Sequence, residues 1–288
     1  MHSFIKWTGS KRPQAEWILS MFPKFSGRYC EMFLGSGIVL LSWLKIHPDA
    51  VCIANDLCAP LIRLWEACRD RPDELARDYR EMWNEFNSGD VQWQKDVFAR
   101  IRSEFNQDQT RASHFLFLTR TAINGLVRFN SRGLYNSPLH FMRPGLDPVK
   151  MTKLLNECSA LTRNVEFRCG SYEGIQLNEN DFCYMDPPYA MTGNSMYLGG
   201  FDNEKFYAYV EKMPCKWLMS YNGMANGSVV AELPEHLYRS RWLRKPSLST
   251  SFNVLYGGGG RRKRIVQESL YGNFEIGSFR APAIDDFC

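Results

Sequence analysis

The feature that most constrains the fold of this chain is a series of short apolar runs separated by stretches with helical spacing. Each run is four or five residues long, a length typical of buried strands rather than helices. Because the stretches between them are helical, the runs indicate one sheet covered by helices on both faces. We therefore predict an α/β protein with strands at Tyr29–Phe33, Val51–Ala54, Val165–Cys169, Phe182–Met185 and Lys216–Ser220.

A long segment interrupts this alternation between the second and third strands. It spans about 100 residues, too many for a simple crossover connection. Its apolar spacing predicts helices at Asp73–Phe86, Gln92–Phe105 and His114–Leu126, and a hairpin turn follows at residues 129–136. Two more helices, Lys11–Met21 and Ile38–Ile46, flank the first strand.

The interruption indicates a second domain inserted into the first. We expect a catalytic domain formed by residues 1–60 and 160–288 and an inserted domain formed by residues 61–159. The segment Tyr256–Gly260, rich in glycine, is interpreted as a loop beside a basic run.

Composition excludes several classes of protein. A hydrophobic content of 44% and a charged content of 23% are ordinary for a globular protein, and no apolar run approaches the ~18 residues of a membrane span. The N-terminus has no secretory pattern, so a cytoplasmic location is expected. None of the nine cysteines forms a C-x-x-C pair, so neither a metal site nor a disulfide framework is expected.

The positive charge is unevenly distributed. Residues 111–153 contain seven Lys/Arg and one acid, and residues 236–264 contain eight Lys/Arg and no acid, although the net charge is only +4. Two basic stretches of this kind are typical of a polyanionic partner, although solvated basic surfaces would look the same.

The strongest chemical motif is the end of the fourth predicted strand, Asp186-Pro187-Pro188-Tyr189. A polar group at the carboxyl end of a sheet strand faces the ligand crevice. The Asp186 carboxylate and the Pro187 carbonyl can each accept one N–H bond from an amine such as adenine N6, and Tyr189 can stack on the base. An ordinary strand-ending turn is the alternative.

The second motif is Glu31–Gly37, which includes Phe33, Gly35 and Gly37 and lies between a predicted strand and a predicted helix. Two glycines let a ligand approach the backbone at a helix N-terminus, and Asp56, at the end of the next strand, suits a ribose diol. A nucleotide, a nicotinamide cofactor or S-adenosylmethionine would all fit. The missing third glycine and the missing G-K-[ST] argue against NAD and ATP.

A third motif, residues 6–12, combines an aromatic residue, a tight turn and basic side chains. Lys11 can reach a cofactor carboxylate, and Trp7 can cover a sulfonium by cation–π attraction. A surface turn is again the alternative.

In this order the motifs resemble the DNA adenine methyltransferase (Dam) family, the α-class of N6-adenine amino-methyltransferases. That family runs K-W-x-G-[GS]-K, E-x-F-x-G-x-G, a target-recognition insertion, then D-P-P-Y. Inside the insertion, residues 115–130 are similar to its F-L-x-L-N-R-x-x-[FY]-N-G-L-x-R-[YF]-N, and residues 133–138 to its G-x-[FY]-N-x-P hairpin.

The resemblance implies a Rossmann-like sheet with a reversed strand and a helical DNA-recognition domain. It implies S-adenosylmethionine as cofactor, duplex DNA as partner, and methylation of a flipped-out adenine, in GATC or a related short site. No metal and no protein partner are expected. The implied cofactor residues are Trp7, Lys11, Glu31, Phe33, Gly35, Gly37, Asp56, Tyr172 and Asp186, and the implied DNA contacts are Arg120, Asn124, Arg128, Asn130, Arg132, Asn136 and Pro138.

The sequence departs from the family pattern at Thr119, in residues 190–201 and in residues 246–260, and we expect these places to touch the target site. Methylation of RNA or of another amine, and a DNA-binding regulator without turnover, are the remaining alternatives. A host, a restriction-modification and a phage role are all compatible with the sequence.

Overall fold

The computed structural model describes residues 2–140, 144–188, 201–225, 228–229, 232–244, 247–251 and 262–275. The chain divides into two compact units. Among the described residues, the first contains 2–19 and Arg28–Gln176, and the second contains Ser20–Gly27, residues 177–188 and those from Phe201 onward. The predicted domain boundaries at residues 60 and 160 remain a prediction.

The first unit contains three parallel strands in the order β3-β2-β1. These are β1 (Tyr29–Glu31), β2 (Cys52–Asp56) and β3 (Val165–Cys169), and Cys52 is in register with both Tyr29 and Val165. Helix α1 (Ala15–Ser20) precedes them in the chain, and α2 (Ile38–Ile46) connects β1 to β2. Helix α2 buries five aliphatic side chains. Strand β1 and the first four residues of β2 are buried on both faces, whereas β3 alternates between buried and exposed residues.

Five helices occupy the chain between β2 and β3: α3 (Ala59–Asp70), α4 (Pro72–Phe86), α5 (Val91–Gln107), α6 (Ala112–Thr121) and α7 (Pro148–Leu161). Two of them begin with an aspartate cap: at α5 the Asp90 carboxylate accepts a hydrogen bond from Trp93 N at 2.9 Å, and at α7 that of Asp147 accepts from Val149 N at 3.0 Å. Aromatic rings join the helices, with Phe105 stacked on Phe115 at 5.4 Å.

Helix α6 ends five residues earlier than the predicted end at Leu126. Ala122 is extended (φ −68°, ψ 153°), and a 3-10 turn, Ile123–Gly125, follows. Gly125 has φ +66°, a conformation that other residues rarely adopt. Beyond Thr121, Ala122 is buried because it pairs with Leu139 as an isolated bridge. Apolar spacing in the sequence does not distinguish this kind of burial from a further turn of helix.

The predicted hairpin is present, and we call residues 128–138 the hairpin. Phe129 pairs with Tyr135, Asn130 N donates to Leu134 O at 2.9 Å, and Asn136 N donates to Arg128 O at 2.9 Å. Gly133 supplies the positive φ of +72° that closes the turn.

The second unit contains strands in the order β4-β5-β9-β7. Strand β4 (Phe182–Met185) is parallel to β5 (Lys216–Ala225), and β9 (Arg262–Gly272) runs antiparallel to β5, as expected for the reversed strand. The short strands β6 (Ser228–Val229), β7 (Ser240–Leu243) and β8 (Ser247–Ser251) are also antiparallel to their partners, and α8 (Asn203–Glu211) lies between β4 and β5 in the chain.

The prediction of an α/β protein with a helical insertion and a hairpin is therefore confirmed. Within the described residues, none of the helices combines the length and apolar character needed to cross a bilayer. The same part of the chain contains no cluster of His, Cys, Asp and Glu able to hold a metal ion.

Candidate functional site

The glycine loop after β1 packs against two tryptophans, the buried Trp65 and the half-buried Trp7. Gly35 and Gly37 have φ of +48° and +60°, and Gly37 is the N-cap residue that precedes α2. A Cβ atom at Gly37 would lie 2.4 Å from Trp65 Cζ2, and one at Gly35 would lie 3.2 Å from Trp7 Cδ1. The glycines are therefore needed both for the backbone turn and for the close approach of these rings.

Asp56 holds the glycine loop to the end of β2. Its Oδ2 accepts a hydrogen bond from Gly35 N at 3.0 Å, and its Oδ1 accepts one from Cys58 N at 3.0 Å. Burial raises the pKa of Asp56, and backbone N–H bonds, including those from Cys58 and Gly35, act in the opposite direction. A carboxylate has about four acceptor positions, and backbone N–H groups of Gly35, Leu57 and Cys58 use three of them, so the group can accept a further bond, such as one from a ribose hydroxyl.

The segment of residues 6–10 lies against the same loop. The Trp7 indole covers Gly35, Ser10 N donates to Trp7 O at 3.3 Å, and the hydroxyls of Ser10 and Ser36 are 2.9 Å apart. On its other side the segment meets Gly125, where a Cβ atom would lie 2.7 Å from Lys6 Cγ and 2.8 Å from Lys6 O. Adjacent residues thus contact the glycine loop and the turn that precedes the hairpin.

The remaining predicted cofactor residues of the first unit are largely enclosed. Glu31, at the end of β1, is buried and accepts a hydrogen bond from Tyr29 OH at 2.7 Å, and Lys11 is buried at the start of the 3-10 turn Arg12–Gln14. The rings of Phe33 and Tyr172 lie 5.8 Å apart, following β1 and β3. The structure therefore brings these two rings together, and separately groups Trp7, Gly35 and Asp56.

In the second unit, Asp186 directly follows a fully buried strand. Phe22 packs edge-on against Phe182 at 4.6 Å, and Tyr184 OH lies 2.6 Å from Ser220 Oγ across the β4–β5 pair. In the residues that follow β4, Asp186 is half-buried, Pro187 is buried and Pro188 is half-buried. The predicted stacking residue Tyr189 lies outside the described residues.

Some of the predicted DNA-contacting side chains form hydrogen bonds within the hairpin, and others are exposed to solvent. Arg128 Nε donates to Asn136 Oδ1 at 2.9 Å, and Asn130 Oδ1 accepts from Arg132 N and Leu134 N. The Arg132 side chain is exposed and has no hydrogen-bonding or ionic partner among the described residues. Pro138 is also exposed, and its carbonyl accepts from Ile123 N at 3.1 Å.

Two further predicted contacts and one departure lie on or beside α6. Arg120 is half-buried, and burial lowers the pKa of its guanidinium. Asn124 lies in the 3-10 turn after α6, and its side chain is outside the described part of the chain. Thr119 is fully buried and donates to Leu116 O at 2.9 Å, so the expectation that this position touches the target site is wrong. The other two departures lie mostly outside the described residues.

Sequence reasoning missed the residues that attach the hairpin to α5. Asn106, in the last turn of that helix, bonds to the main chain of Tyr135, and Gln109, two residues beyond the helix, bonds to that of Gly133. A side-chain amide at a helix end has no sequence signal that separates such a role from solvent exposure, because its partner lies more than 20 residues further along the chain.

Comparison with known proteins identifies the family of this chain. The sequence profile of the D12 class N6 adenine-specific DNA methyltransferases matches residues 7–245. Because the match covers most of the chain, the chain belongs to that family. It is therefore an adenine-specific DNA methyltransferase with a Rossmann-like methyltransferase fold.

Individual relatives agree with this assignment. The chain is 27% identical to the Type II methyltransferase M.MjaIII of Methanocaldococcus jannaschii, over 94% of this chain and 98% of the relative. It is 33% identical to the DNA adenine methylase of Serratia marcescens, over 65% of this chain and 67% of the relative. The DNA adenine methylase of Escherichia coli K12 is 32% identical over 65% of each chain.

Proposed function

We propose that this chain transfers a methyl group from S-adenosylmethionine to N6 of an adenine extruded from duplex DNA. The observation that carries the proposal is the half-buried Asp186 followed by Pro187 and Pro188 at the end of a buried strand. The family membership supplies the substrate base, and the two basic stretches supply the attraction to duplex DNA.

The residues of the first unit fit the proposed cofactor. The Asp56 carboxylate is suited to the ribose diol, the Gly35 and Gly37 backbone permits close approach, and Trp7 beside Gly35 is suited to a sulfonium. Lys11, Glu31, Phe33 and Tyr172 complete the proposed set. When bound, S-adenosylmethionine supplies an electrophilic methyl group.

The protein's own residues act on the target amine. Adenine N6 is a poor nucleophile because its lone pair is delocalised into the ring. The Asp186 carboxylate and the Pro187 carbonyl each accept one N–H bond, which fixes the nitrogen and favours a pyramidal lone pair. Pro188 stiffens the turn and Tyr189 stacks on the ring, offsetting the few kcal/mol lost when a base leaves the duplex. Catalysis is then positioning and electrostatic stabilisation, without a covalent enzyme intermediate.

The target sequence is proposed to be a short duplex site, with GATC as the first to test. The relatives from Serratia marcescens and Escherichia coli are named DNA adenine methylases, and the relative from Methanocaldococcus jannaschii is named a Type II methyltransferase. Plasmid DNA without adenine methylation, treated with the protein and sequenced for N6-methyladenine, identifies the site directly.

The central test is Asp186→Ala. With labelled S-adenosylmethionine, unmethylated duplex DNA and nuclease digestion, the wild type should label N6-methyl-2′-deoxyadenosine. The variant should bind DNA but lose at least about 100-fold in kcat, the scale found when one preorganised electrostatic contact is removed from an active site.

Asp202→Asn is the matched control. Asp202 is an exposed acid of the same unit that caps α8 through Lys205 N, a role that asparagine also performs. Turnover of Asp186→Ala equal to that of Asp202→Asn would refute the assigned role. Label in N4-methylcytosine, in RNA or in protein would instead identify a different acceptor.

A further inference from the structure

The C-terminal end of α5 is bonded to the hairpin as a third strand would be. Asn106 Nδ2 donates to Tyr135 O at 3.1 Å, and Tyr135 N donates to Asn106 Oδ1 at 2.7 Å. One side-chain amide therefore exchanges both hydrogen bonds with one main-chain residue, which is the pattern of a bonded antiparallel pair. Gln109 adds a third bond, from its Nε2 to Gly133 O at 2.7 Å.

The two residues of the hairpin that these amides bind lie in different surroundings. Tyr135 is buried, and its ring packs edge-on against Phe105, Phe115 and Phe129. Gly133 instead lies beside the exposed tip, which carries Ser131 and Arg132. The aromatic cluster fixes where the hairpin is rooted, while the amides fix its main-chain register and the position of its tip.

A two-stranded hairpin by itself is only marginally stable in water, so its orientation depends on such attachments. Non-directional apolar packing of Tyr135 permits small rotations about the ring, whereas hydrogen bonds weaken steeply when their angles change. Tyr135 OH also donates to Leu118 O at 3.4 Å, and Ile123 N donates to Pro138 O at 3.1 Å. Beside these bonds, the amides of Asn106 and Gln109 supply the three directional bonds closest to the turn.

We propose that Asn106 and Gln109 are positioning residues that hold the hairpin in the orientation that binds duplex DNA. The inference rests on the proposed function, in which Arg128, Asn130 and Arg132 of the hairpin meet DNA. Neither amide needs to touch DNA for this role, because each acts through the hairpin main chain.

Asn106→Ala removes both bonds to Tyr135 and leaves the aromatic root intact. Alanine also favours helix, so α5 itself is not weakened. We expect the KM for unmethylated plasmid DNA to rise at least about tenfold, the factor that corresponds to the loss of one or two ordinary hydrogen bonds. The share of methylation at the favoured site, read by sequencing, should fall. The dissociation constant of S-adenosylhomocysteine, measured without DNA, should stay unchanged.

Partial variants separate the bonds. Asn106→Asp keeps an acceptor for Tyr135 N but places a carboxylate against Tyr135 O, so its KM should lie between those of the wild type and Asn106→Ala. Gln109→Ala removes only the bond to Gly133 O and should reduce site preference more than it changes the thermal midpoint. These two variants remain informative if Asn106→Ala does not fold.

Asn87→Ala is the matched control. Asn87 also uses its amide to hold main-chain carbonyls, donating to Trp83 O at 2.8 Å and to Pro144 O at 3.2 Å, and neither bond is made to the hairpin. Its KM for DNA and its site preference should equal those of the wild type.

Binding of labelled duplex DNA, measured by fluorescence anisotropy, separates this inference from the proposed function. Weaker binding by Asn106→Ala and Gln109→Ala than by Asn87→Ala supports the positioning role even if no methyl transfer occurs. Equal binding and equal site preference in the three variants would overturn it, as would a loss that follows the thermal midpoint alone.

Discussion

Gly35 and Gly37 stand two positions apart, yet their missing side chains accommodate different neighbours. Gly37 lies against the fully buried ring of Trp65, whose Nε1 also donates to Gly35 O at 3.4 Å. Gly35 lies against Trp7 and donates to Asp56. The first glycine of the pair therefore belongs to the proposed cofactor contact, and the second belongs to the packing beneath it.

Substitution at Gly37 tests this distinction. Gly37→Ala combines a positive φ of +60° with a Cβ atom 2.4 Å from Trp65, so the free energy of unfolding should fall by roughly 2–5 kcal/mol from backbone strain and overpacking together. Gly133→Ala has a similar φ of +72° but no atom within 4 Å, and should cost only about 1–2 kcal/mol. Urea denaturation measures both values. Equal losses would show that Trp65 yields to the added methyl group.

At the scale of elements, the short strands of the parallel pairs were predicted best, whether buried throughout, as β4 is, or alternating between buried and exposed residues, as β3 does. Strands β3 and β4 have the predicted bounds, because a short apolar run between turn residues has few other uses. Helices α3, α7 and α8 were not predicted. The family resemblance implied a reversed strand, which β9 provides, but the ranges of β6 to β9 were not predicted, because antiparallel strands with polar residues leave no continuous apolar run.

The candidate site shows the same limit. Trp7, Gly35 and Asp56 could be selected as candidates from the sequence because their motifs precede a helix or follow a strand in a recognisable order. Asn106 could not, because its partner Tyr135 is 29 residues away and the contact depends on how α5 and the hairpin pack. Periodicity describes which face of an element is buried, and it contains no information about a side-chain amide that bonds to a distant main chain.

The segment of residues 6–10 connects two elements, and this connection predicts coupled binding. Trp7 contacts the glycine loop, while Lys6 contacts Gly125 in the turn before the hairpin. A ligand that orders one end of the segment therefore favours order at the other. S-adenosylhomocysteine should bind about 5–150-fold more tightly in the presence of duplex DNA, the usual range of such coupling.

Gly125→Ala should reduce that coupling, because the added Cβ would lie 2.7–2.9 Å from Lys6 atoms and displace the segment. Gly145→Ala is the control: its φ of +86° is also positive, but its close neighbours are Tyr79 and Trp83. Calorimetric titration with and without DNA gives the coupling factor for each variant. A factor that is the same in both would show that the segment does not transmit the effect.

At the scale of the whole molecule, the distribution of charge matters more than its sum. Basic residues exceed acidic residues by only four, 35 against 31, yet residues 111–153 hold seven of the former and one of the latter. The structure shows two kinds of arginine within residues 111–153. Arg111 faces Asp108 at 3.4 Å and Glu104 at 4.0 Å, whereas the exposed Arg132 side chain has no acidic partner among the described residues. Only the second kind of arginine is available to replace counterions on a phosphate.

The two arginines therefore form a matched pair for a salt titration. Each substitution by alanine removes one positive charge from the same basic stretch. If DNA affinity depended on net charge alone, the two variants would show the same salt dependence. If Arg132 contacts a phosphate, Arg132→Ala should lower the slope of log affinity against log salt concentration by about 0.9. Arg111→Ala should leave that slope unchanged, because the Arg111 charge is already balanced within the protein. Anisotropy with a labelled duplex at several salt concentrations gives the slopes. A slope lowered equally in both variants would mean that DNA responds to the field of the whole stretch, and the exposed tip of the hairpin would lose its assigned contact.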